Sequence, residues 1–264
     1  MNIKEYVLER KCALKQEIET LSIKPCMMII QVNEDPASNA YIKGKIKDCN
    51  EVGITPILHK LPIDISQEQL IEEINKANTN PNIHGLIVQM PLPKGINEEE
   101  IKLAVNPAKD IDGFHPLSTF TACTPKGIIS YLKAENVEFS GKNAVVIGRS
   151  NIVGKPLAKL LTDLNCNTTI LHSRTTKEDM AFYLKHADIV CVAVGRKWFV
   201  NKNTELKEDC VLVDVGINRE DGVLHGDCEP ELNVKIQTPV PGGVGLLTRL
   251  SLLENLMEAY KNGI

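Results

Sequence analysis

The sequence predicts an α/β protein of two domains, the second built on a doubly wound parallel sheet, with a last helix that returns to the first domain. Three observations carry this. Apolar runs alternate with helical patterns along nearly the whole chain, as parallel β/α architecture requires. The strand candidates fall into two groups on either side of a Pro- and Gly-containing stretch from Pro91 to Gly127. The second group opens with a buried-type strand, a glycine-bearing loop and a helix.

In the first group the strand candidates are CMMIIQV (26–32), ITPILHKL (54–61) and HGLIVQM (84–90). The intervening segment PASNAYIKGKIKDCNEVG (36–53) reads as a helix with Ser38 as N-cap and Gly53 just past its end. Ser66-x-x-Gln69 is a capping box ahead of Leu70, Ile71 and Ile74, and a further helix begins near Asn97 and stops before Pro107. The second group comprises KNAVVIG (142–148), NTTILHS (167–173), DIVCVAVG (188–195) and CVLVDVG (210–216). The C-terminal RLSLLENLMEAYKN places Leu250, Leu253, Leu256, Met257 and Tyr260 at helical spacing, so an amphipathic helix there covers another element. The expected domains are therefore 1–121 with 249–264, and 122–248.

Composition narrows the function. Lys and Arg number 30 against 34 Asp and Glu, so the chain lacks the basic footprint of nucleic-acid binding. No apolar stretch reaches the ~18 residues of a membrane helix, and the N-terminus lacks the apolar core of a signal peptide. The eight cysteines are scattered without a C-x-x-C pair, which points to buried free thiols, no metal site and a reducing cytoplasm.

The loop GRSNIVGKP after the strand 142–148 has the form expected of a dinucleotide site. A strand turning into a helix offers backbone N–H groups and a positive helix end to a pyrophosphate. Gly148 permits the turn, Ser150 lies within it, and Gly154 permits close packing as the helix begins, giving a Rossmann-like half. NAD sites usually carry an acid at the end of the next strand. Here that strand ends in His172, Ser173, Arg174 and Thr175, and Arg149 sits in the loop itself. Guanidinium groups and a hydroxyl favour a 2′-phosphate, so NADP is the expected cofactor.

In the first domain Tyr41 and Lys45 are four apart and share a helix face. VQMPLP (88–93) ends a strand with Gln89, PAKDIDGF (107–114) holds Asp110 and Asp112, and TPVPGGVG (238–245) is an elaborate Gly-Pro loop. These segments, with ASNAYIKGKIKDC, CTPKG, VVIGRSNIVGKP, ADIVCVAVG and VDVGIN, occur in the order seen in bifunctional methylenetetrahydrofolate dehydrogenase/cyclohydrolases, which the chain resembles from Asn33 to its last helix. The resemblance implies a short, stand-alone form with no fused synthetase domain, an N-terminal αβα catalytic domain, tetrahydrofolate derivatives as substrates, NADP as cofactor and a homodimer.

Residue by residue it implies that Lys45 is central to cyclohydrolase chemistry, that Tyr41 stacks near the folate, that Gln89 tunes the lysine and that Asp112 binds the pterin. It places Pro241, Gly242 and Gly243 near folate and nicotinamide, with Thr124 and Ile217 on the cofactor side. Four departures from the family's pattern stand out: Ala122 before Cys123, Arg196-Lys197-Trp198 in place of a proline-containing turn, GDCEPE (226–231), and Leu246-Leu247 where a proline and a methionine are usual. Loss of the proline after Gly245 is expected to loosen a turn beside the cofactor. Retention of only one activity, or use of NAD, is the nearest alternative. A shikimate-type dehydrogenase using Lys45 and Asp112, and a nucleotide-binding sensor without catalysis, are the others.

Overall fold

The computed structural model describes residues 1–36 and 38–264 with their side chains. The chain forms two compact units, Leu8–Cys123 with Arg249–Ile264, and Met1–Val7 with Thr124–Thr248. In the first are most of α1 (Ile3–Glu19), then β1 (Cys26–Gln31), α2 (Pro36–Val52), β2 (Thr55–Lys60), α3 (Gln67–Thr79), β3 (Gly85–Val88) and α4 (Glu98–Ala104). Its three strands are parallel in the order β2-β1-β3. Leu70, Ile74 and Ala77 of α3 and Ile101 of α4 bury their stripe against Ile30, Leu86 and Val88, which makes one apolar core.

The helix at 36–52 forms as expected, but its cap is not Ser38. Asp35 is the N-cap, accepting the Ser38 N–H at 2.8 Å with Pro36 in the first turn. Proline preorganises that turn and leaves no amide there to satisfy, so the cap moves one residue ahead of it. The Ser38 hydroxyl donates instead to the Met90 carbonyl. Gly53 closes the helix at φ 89°, and the Ser66–Gln69 capping box opens α3 as predicted.

In the second unit follow α5 (Cys123–Ala134), β4 (Asn143–Ile147), α6 (Gly154–Asp163), β5 (Asn167–Leu171), α7 (Lys177–His186), β6 (Ile189–Val192) and β7 (Val211–Asp214). Beyond them lie β8 (Asn218–Glu220), β9 (Val223–His225), β10 (Ile236–Gln237) and α8 (Val244–Lys261). The sheet is parallel in the order β10-β7-β6-β4-β5. All seven expected strands are present. The β8–β9 hairpin was not among them, although Asp221-Gly222, at φ 50° and 81°, is the dipeptide that a two-residue turn of this hand selects.

In each sheet the first strand in sequence, β1 or β4, lies inside, with the chain going first to one side and then to the other. The connections leave the strand ends in opposite directions there and open a crevice at the carboxyl edge. That edge carries Gln31 and Gln89 in the first unit and Gly148 in the second.

From Arg249 onward α8 belongs to the first unit. It is not an amphipathic cover. Leu250, Ser251, Leu252, Leu253, Asn255, Leu256, Met257 and Ala259 are all buried, so it is wrapped on most sides. Gly85 makes room for it: a Cβ there would stand 2.7 Å from both Ile111 and Leu256. Asn255 donates to the carbonyls of Ile111 and Thr121 at 2.8 and 3.0 Å. Because α8 starts at Val244, Gly245 and Leu246 occupy its first turn and Leu247 is fully buried. No separate turn exists there for a missing proline to loosen.

Replacing Asn255 by leucine keeps the volume and adds apolar surface but leaves the Thr121 carbonyl without its donor and the buried Ile111 carbonyl with only the weak Cys123 S–H. Urea denaturation should show a loss of about 2–4 kcal/mol despite the greater hydrophobicity. A gain in stability would mean that packing outweighs those hydrogen bonds.

Candidate functional site

In the first unit the carboxyl edge of the sheet is organised around the turn after β3. Gln89 ends the strand, and its Nε2 donates to the Met90 carbonyl at 2.8 Å. The turn continues through a cis Met90–Pro91 bond. Asn33 Nδ2 donates to the Pro91 carbonyl at 2.5 Å, and Gln31 Nε2 donates to the Asn33 carbonyl at 2.7 Å and to Asn39 Oδ1 at 2.6 Å. With its amide nitrogen committed, Gln89 is left with its oxygen free to accept. It accepts from Lys45 Nζ at 3.3 Å.

Lys45 is buried to 8% exposure, yet among the described residues its hydrogen-bond partner is a neutral carboxamide and not a carboxylate. The nearest acid along the helix, Asp48, is engaged by Lys11 Nζ at 2.5 Å and Arg249 Nε at 2.8 Å. A lysine in this position exchanges a proton without breaking an ion pair. Tyr41, one turn earlier on the same face, is partly exposed; desolvation raises its phenol above the ordinary value and the Arg249 charge opposes that rise. Cys49, one turn beyond Lys45, is no rival nucleophile, since burial and the neighbouring Asp48 push its thiol up to about 12.

The two aspartates of PAKDIDGF differ. Asp110 is buried and its carboxylate accepts the His115 N–H at 2.7 Å, so it holds the loop; burial also raises its carboxyl from the ordinary value. Asp112 is half-buried and lines a small cleft with Met90 and Phe114. Among the described residues it makes no hydrogen bond to Lys45 or Gln89. Gly113, at φ 74°, passes against the Ala122 backbone, where a Cβ would stand 2.6 Å from the Ala122 nitrogen.

In the second unit the glycine loop follows β4 as expected. A Cβ on Gly148 would collide with the Ala193 carbonyl at the end of β6, and one on Gly154 with the Gly148 carbonyl. Both positions therefore need glycine to hold strand end and helix start together. The donors differ from the simple picture of a bare helix end. Ser150 Oγ accepts from Val153 and Gly154, and its carbonyl accepts from Lys155, so the first helical amides are occupied. The N–H groups of Arg149, Ser150, Asn151 and Ile152 have no acceptor among the described residues. The uncommitted backbone donors lie in the loop.

At the end of β5, His172 N–H donates to Thr175 Oγ1, and the Arg174 and Thr175 amides return to His172. This compact turn presents Ser173 and Arg174 to solvent with no acid inside it. A broad pocket beside it is lined by Ser173, Thr175, Phe199 and Arg196, whose guanidinium lies 5.3 Å from the Phe199 ring centre. Arg174 is outside that lining, so Arg196, flagged in sequence only as a departure, is the guanidinium that lines the pocket, together with the ammonium groups of Lys177 and Lys185.

The residues expected on the nicotinamide side also share the second unit. Thr124 at the start of α5 meets Thr248 at 2.9 Å, Ile217 is exposed past β7, and the loop 238–243 carries a cis Val240–Pro241 bond and Gly242 at φ 89°. The proline missing near Lys197 is replaced by side-chain ties. Lys197 Nζ pairs with Glu220 at 2.5 Å and lies 4.7 Å from the Trp198 ring centre, and Trp198 meets His225 edge-on.

Sequence reasoning missed one element of this site. Asp214 and Asp227, at 2% and 0% exposure, form a buried pair that fixes the loop after β6. Asp227 accepts the N–H groups of Val194, Gly195 and Arg196 at 2.7–2.9 Å and the Asn218 amide at 3.0 Å. Asp214 in turn accepts the N–H groups of Asp227 and Cys228, both at 2.9 Å. Gly216 and Gly226 leave the space these carboxylates fill. The signal was available: an Asp ending the otherwise apolar run VLVD demands partners.

Comparison with known proteins agrees with this arrangement. A family described as tetrahydrofolate dehydrogenase/cyclohydrolase matches twice, its catalytic domain over residues 1–112 and its NAD(P)-binding domain over residues 122–264. The bifunctional protein FolD of Halalkalibacterium halodurans is 43% identical over 273 residues, covering 98% of this chain and 97% of that one. The crystal structure of a FolD methylenetetrahydrofolate dehydrogenase/cyclohydrolase from Campylobacter jejuni superposes with a TM-score of 0.95 at 36% identity, covering 100% of this chain and 98% of that one. The Trypanosoma brucei FolD, solved with NADP cofactor and inhibitor, gives 0.93 at 27% identity, covering 99% and 97%.

Burial raises the Asp214 carboxyl to about 6, against the pull of its backbone donors. Its neutral form is thus favoured by folding, so its contribution to stability is full below about pH 4 and lost as pH rises through 6. Relative to Asp214→Asn, the wild type should lose about 2–3 kcal/mol between pH 4 and pH 7 in urea titrations. Parallel pH profiles for the two proteins would contradict this.

Proposed function

Because the chain belongs to the tetrahydrofolate dehydrogenase/cyclohydrolase family, we propose that Lys45, Gln89, Tyr41 and Asp112 serve the folate and that the loop 148–154 serves the cofactor. The protein is an NADP-dependent methylenetetrahydrofolate dehydrogenase and methenyltetrahydrofolate cyclohydrolase. It oxidises 5,10-methylenetetrahydrofolate to the 5,10-methenyl form and hydrolyses that to 10-formyltetrahydrofolate. The observation that carries the residue assignment is the buried Lys45 Nζ resting on Gln89 Oε1 at the carboxyl edge of β3.

NADP fits the second unit's own features: the glycine cradle that a Cβ would fill, the uncommitted amides of 149–152, and a strand-end turn without an acid. Arg149 and Ser150 with those amides would hold phosphates, Ser173 and Arg174 with Arg196 the adenosine end, and Thr124, Ile217 and the 241–243 loop the nicotinamide end. When bound, NADP supplies the hydride acceptor. The oxidation asks little else of the protein, because the two folate nitrogens flanking the methylene carbon stabilise the resulting cation; positioning supplies much of the rate.

Hydrolysis demands more. Water adds to the methenyl carbon and one carbon–nitrogen bond then breaks, so a proton must leave the water and another must reach the departing nitrogen. Lys45 is the group placed to exchange protons at that carbon, with the Gln89 oxygen fixing the direction of its Nζ. Asp112 holds the pterin through its ring N–H groups, and the Tyr41 ring packs against the aminobenzoyl group. The alternative of a single retained activity rested on a loosened turn at Gly245, and Gly245 is helical.

The working form proposed is a cytoplasmic homodimer. Exposed Trp198, Ile217 and Val223 lie on and beside the two-stranded β8–β9 hairpin, an uncovered edge suited to pairing with a second copy, and the unpaired cysteines suit a reducing compartment.

The test supplies 5,10-methylenetetrahydrofolate with NADP and then NAD, following methenyl formation and its hydrolysis separately. Oxidation with neither cofactor overturns the reading. Lys45→Met should reduce hydrolysis by about 100-fold or more while keeping most hydride transfer; survival of both activities would remove Lys45 from its role. Arg149→Ala should raise the KM for NADP about tenfold with little effect on NAD, since one charge-assisted contact is worth about that factor. Equal losses with both cofactors would place the 2′-phosphate elsewhere.

A further inference from the structure

We propose that Arg249 recognises the carboxylates of the glutamyl tail of the folate substrate. The proposal deepens the reading of the Tyr41–Lys45 face as the folate site and rests on it. Tyr41, Gly44, Lys45 and Asp48 stand at i, i+3, i+4 and i+7 of α2 and form one stripe. Arg249, from α8 in the same unit, lies on that stripe. The gap it fills is Gly44: a Cβ there would come within 3.2 Å of the Arg249 Cζ and closer still to one of its terminal nitrogens. The charge is felt at Tyr41.

What holds this guanidinium leaves its donors available. Asp48, almost fully buried, places Oδ2 2.8 Å from Arg249 Nε, but the two atoms are misaligned for a hydrogen bond. The contact is therefore ionic anchoring. Asp48 also has Lys11 at 2.5 Å, so a second cation is not needed to neutralise it. The Arg249 side chain stays about one-quarter exposed, and its terminal nitrogens have no acceptor among the described residues. A planar fork with uncommitted N–H groups, fixed beside a partly open binding face, suits a carboxylate.

The substrate brings one to this place. A tetrahydrofolate consists of pterin, aminobenzoyl group and glutamate in that order. With the reacting carbon at Lys45 and the aminobenzoyl ring over Tyr41, the glutamate follows that ring within one helical turn of Gly44, where the Arg249 guanidinium lies. The α- and γ-carboxylates of the glutamate are the anions within its reach.

The experiment compares methenyl formation from 5,10-methylenetetrahydropteroate, which lacks glutamate, with that from the mono- and triglutamate forms. The wild type should favour the monoglutamate over the pteroate by about tenfold or more in kcat/KM, the value of one charge-assisted contact. Arg249→Gln should bring that ratio close to one, mainly through KM. Arg249→Lys, which keeps the charge but not the fork, should fall between. Gly44→Ala displaces the guanidinium without removing it and should lower the ratio in the same direction; it also guards against misfolding of the Arg249 variants. A ratio preserved in Arg249→Gln and Gly44→Ala overturns the proposal, as does a wild type indifferent to the tail. A shift confined to the KM for NADP also overturns it, by assigning the arginine to a cofactor phosphate. A wild type that oxidises none of the three folates fails the underlying reading itself.

Discussion

The constraint on which the rest depends is that each parallel sheet begins with an inner strand. Placing β1 between β2 and β3, and β4 between β5 and β6, makes successive connections depart to opposite sides. The crevice left at the carboxyl edge is a property of connectivity, before any particular side chain is considered. Both groups of candidate site residues are then supplied from short segments just past those strand ends. The Gln89–Pro91 turn follows β3, the Gly148–Gly154 loop follows β4, and the Val194–Arg196 loop follows β6. Helix α2, which follows β1, contributes Lys45 from its third turn.

Around those edges the chain uses buried polar groups to fix backbone and leaves Lys45, the proposed proton-exchanging group, sparsely tied. Asp227 gathers four donors and Asp110 ties its own loop, whereas Lys45 has a single neutral partner at 3.3 Å. The division is physically sensible. A carboxylate that satisfies several backbone amides is worth most when buried and ordered. A proton-exchanging lysine would be disabled by the same treatment, since a strong ion pair would hold its proton. Asp48 lies close enough to do this, and Lys11 and Arg249 engage it instead.

Much of the fold was legible because period and punctuation agree: β-branched runs, the Ser66–Gln69 box, Gly53 and Gly148 each mean the same thing locally and globally. The elements that were misread are those where tertiary context decides. Asp35 takes the cap because Pro36 follows it, and α8 is buried on most sides from Leu250 to Ala259 within the unit it joins. Among the site residues, Lys45 and Gln89 could be paired only through the family resemblance. The Asp214–Asp227 network could not, since the thirteen-residue gap between them says nothing about contact. Arg196 was visible as an oddity, and only the pocket beside Ser173 gives it a place.

The cysteines carry a practical consequence. Seven of the eight thiols are buried, and for Cys49 and Cys210 burial pushes the thiol to about 12, far from the thiolate that alkylating and oxidising agents attack. Cys12, on α1, is the exposed one. The native chain is thus already a single-cysteine protein toward thiol reagents. A spectroscopic label could be attached at one defined position without removing any natural residue, and uptake of a second equivalent would report that a core had opened.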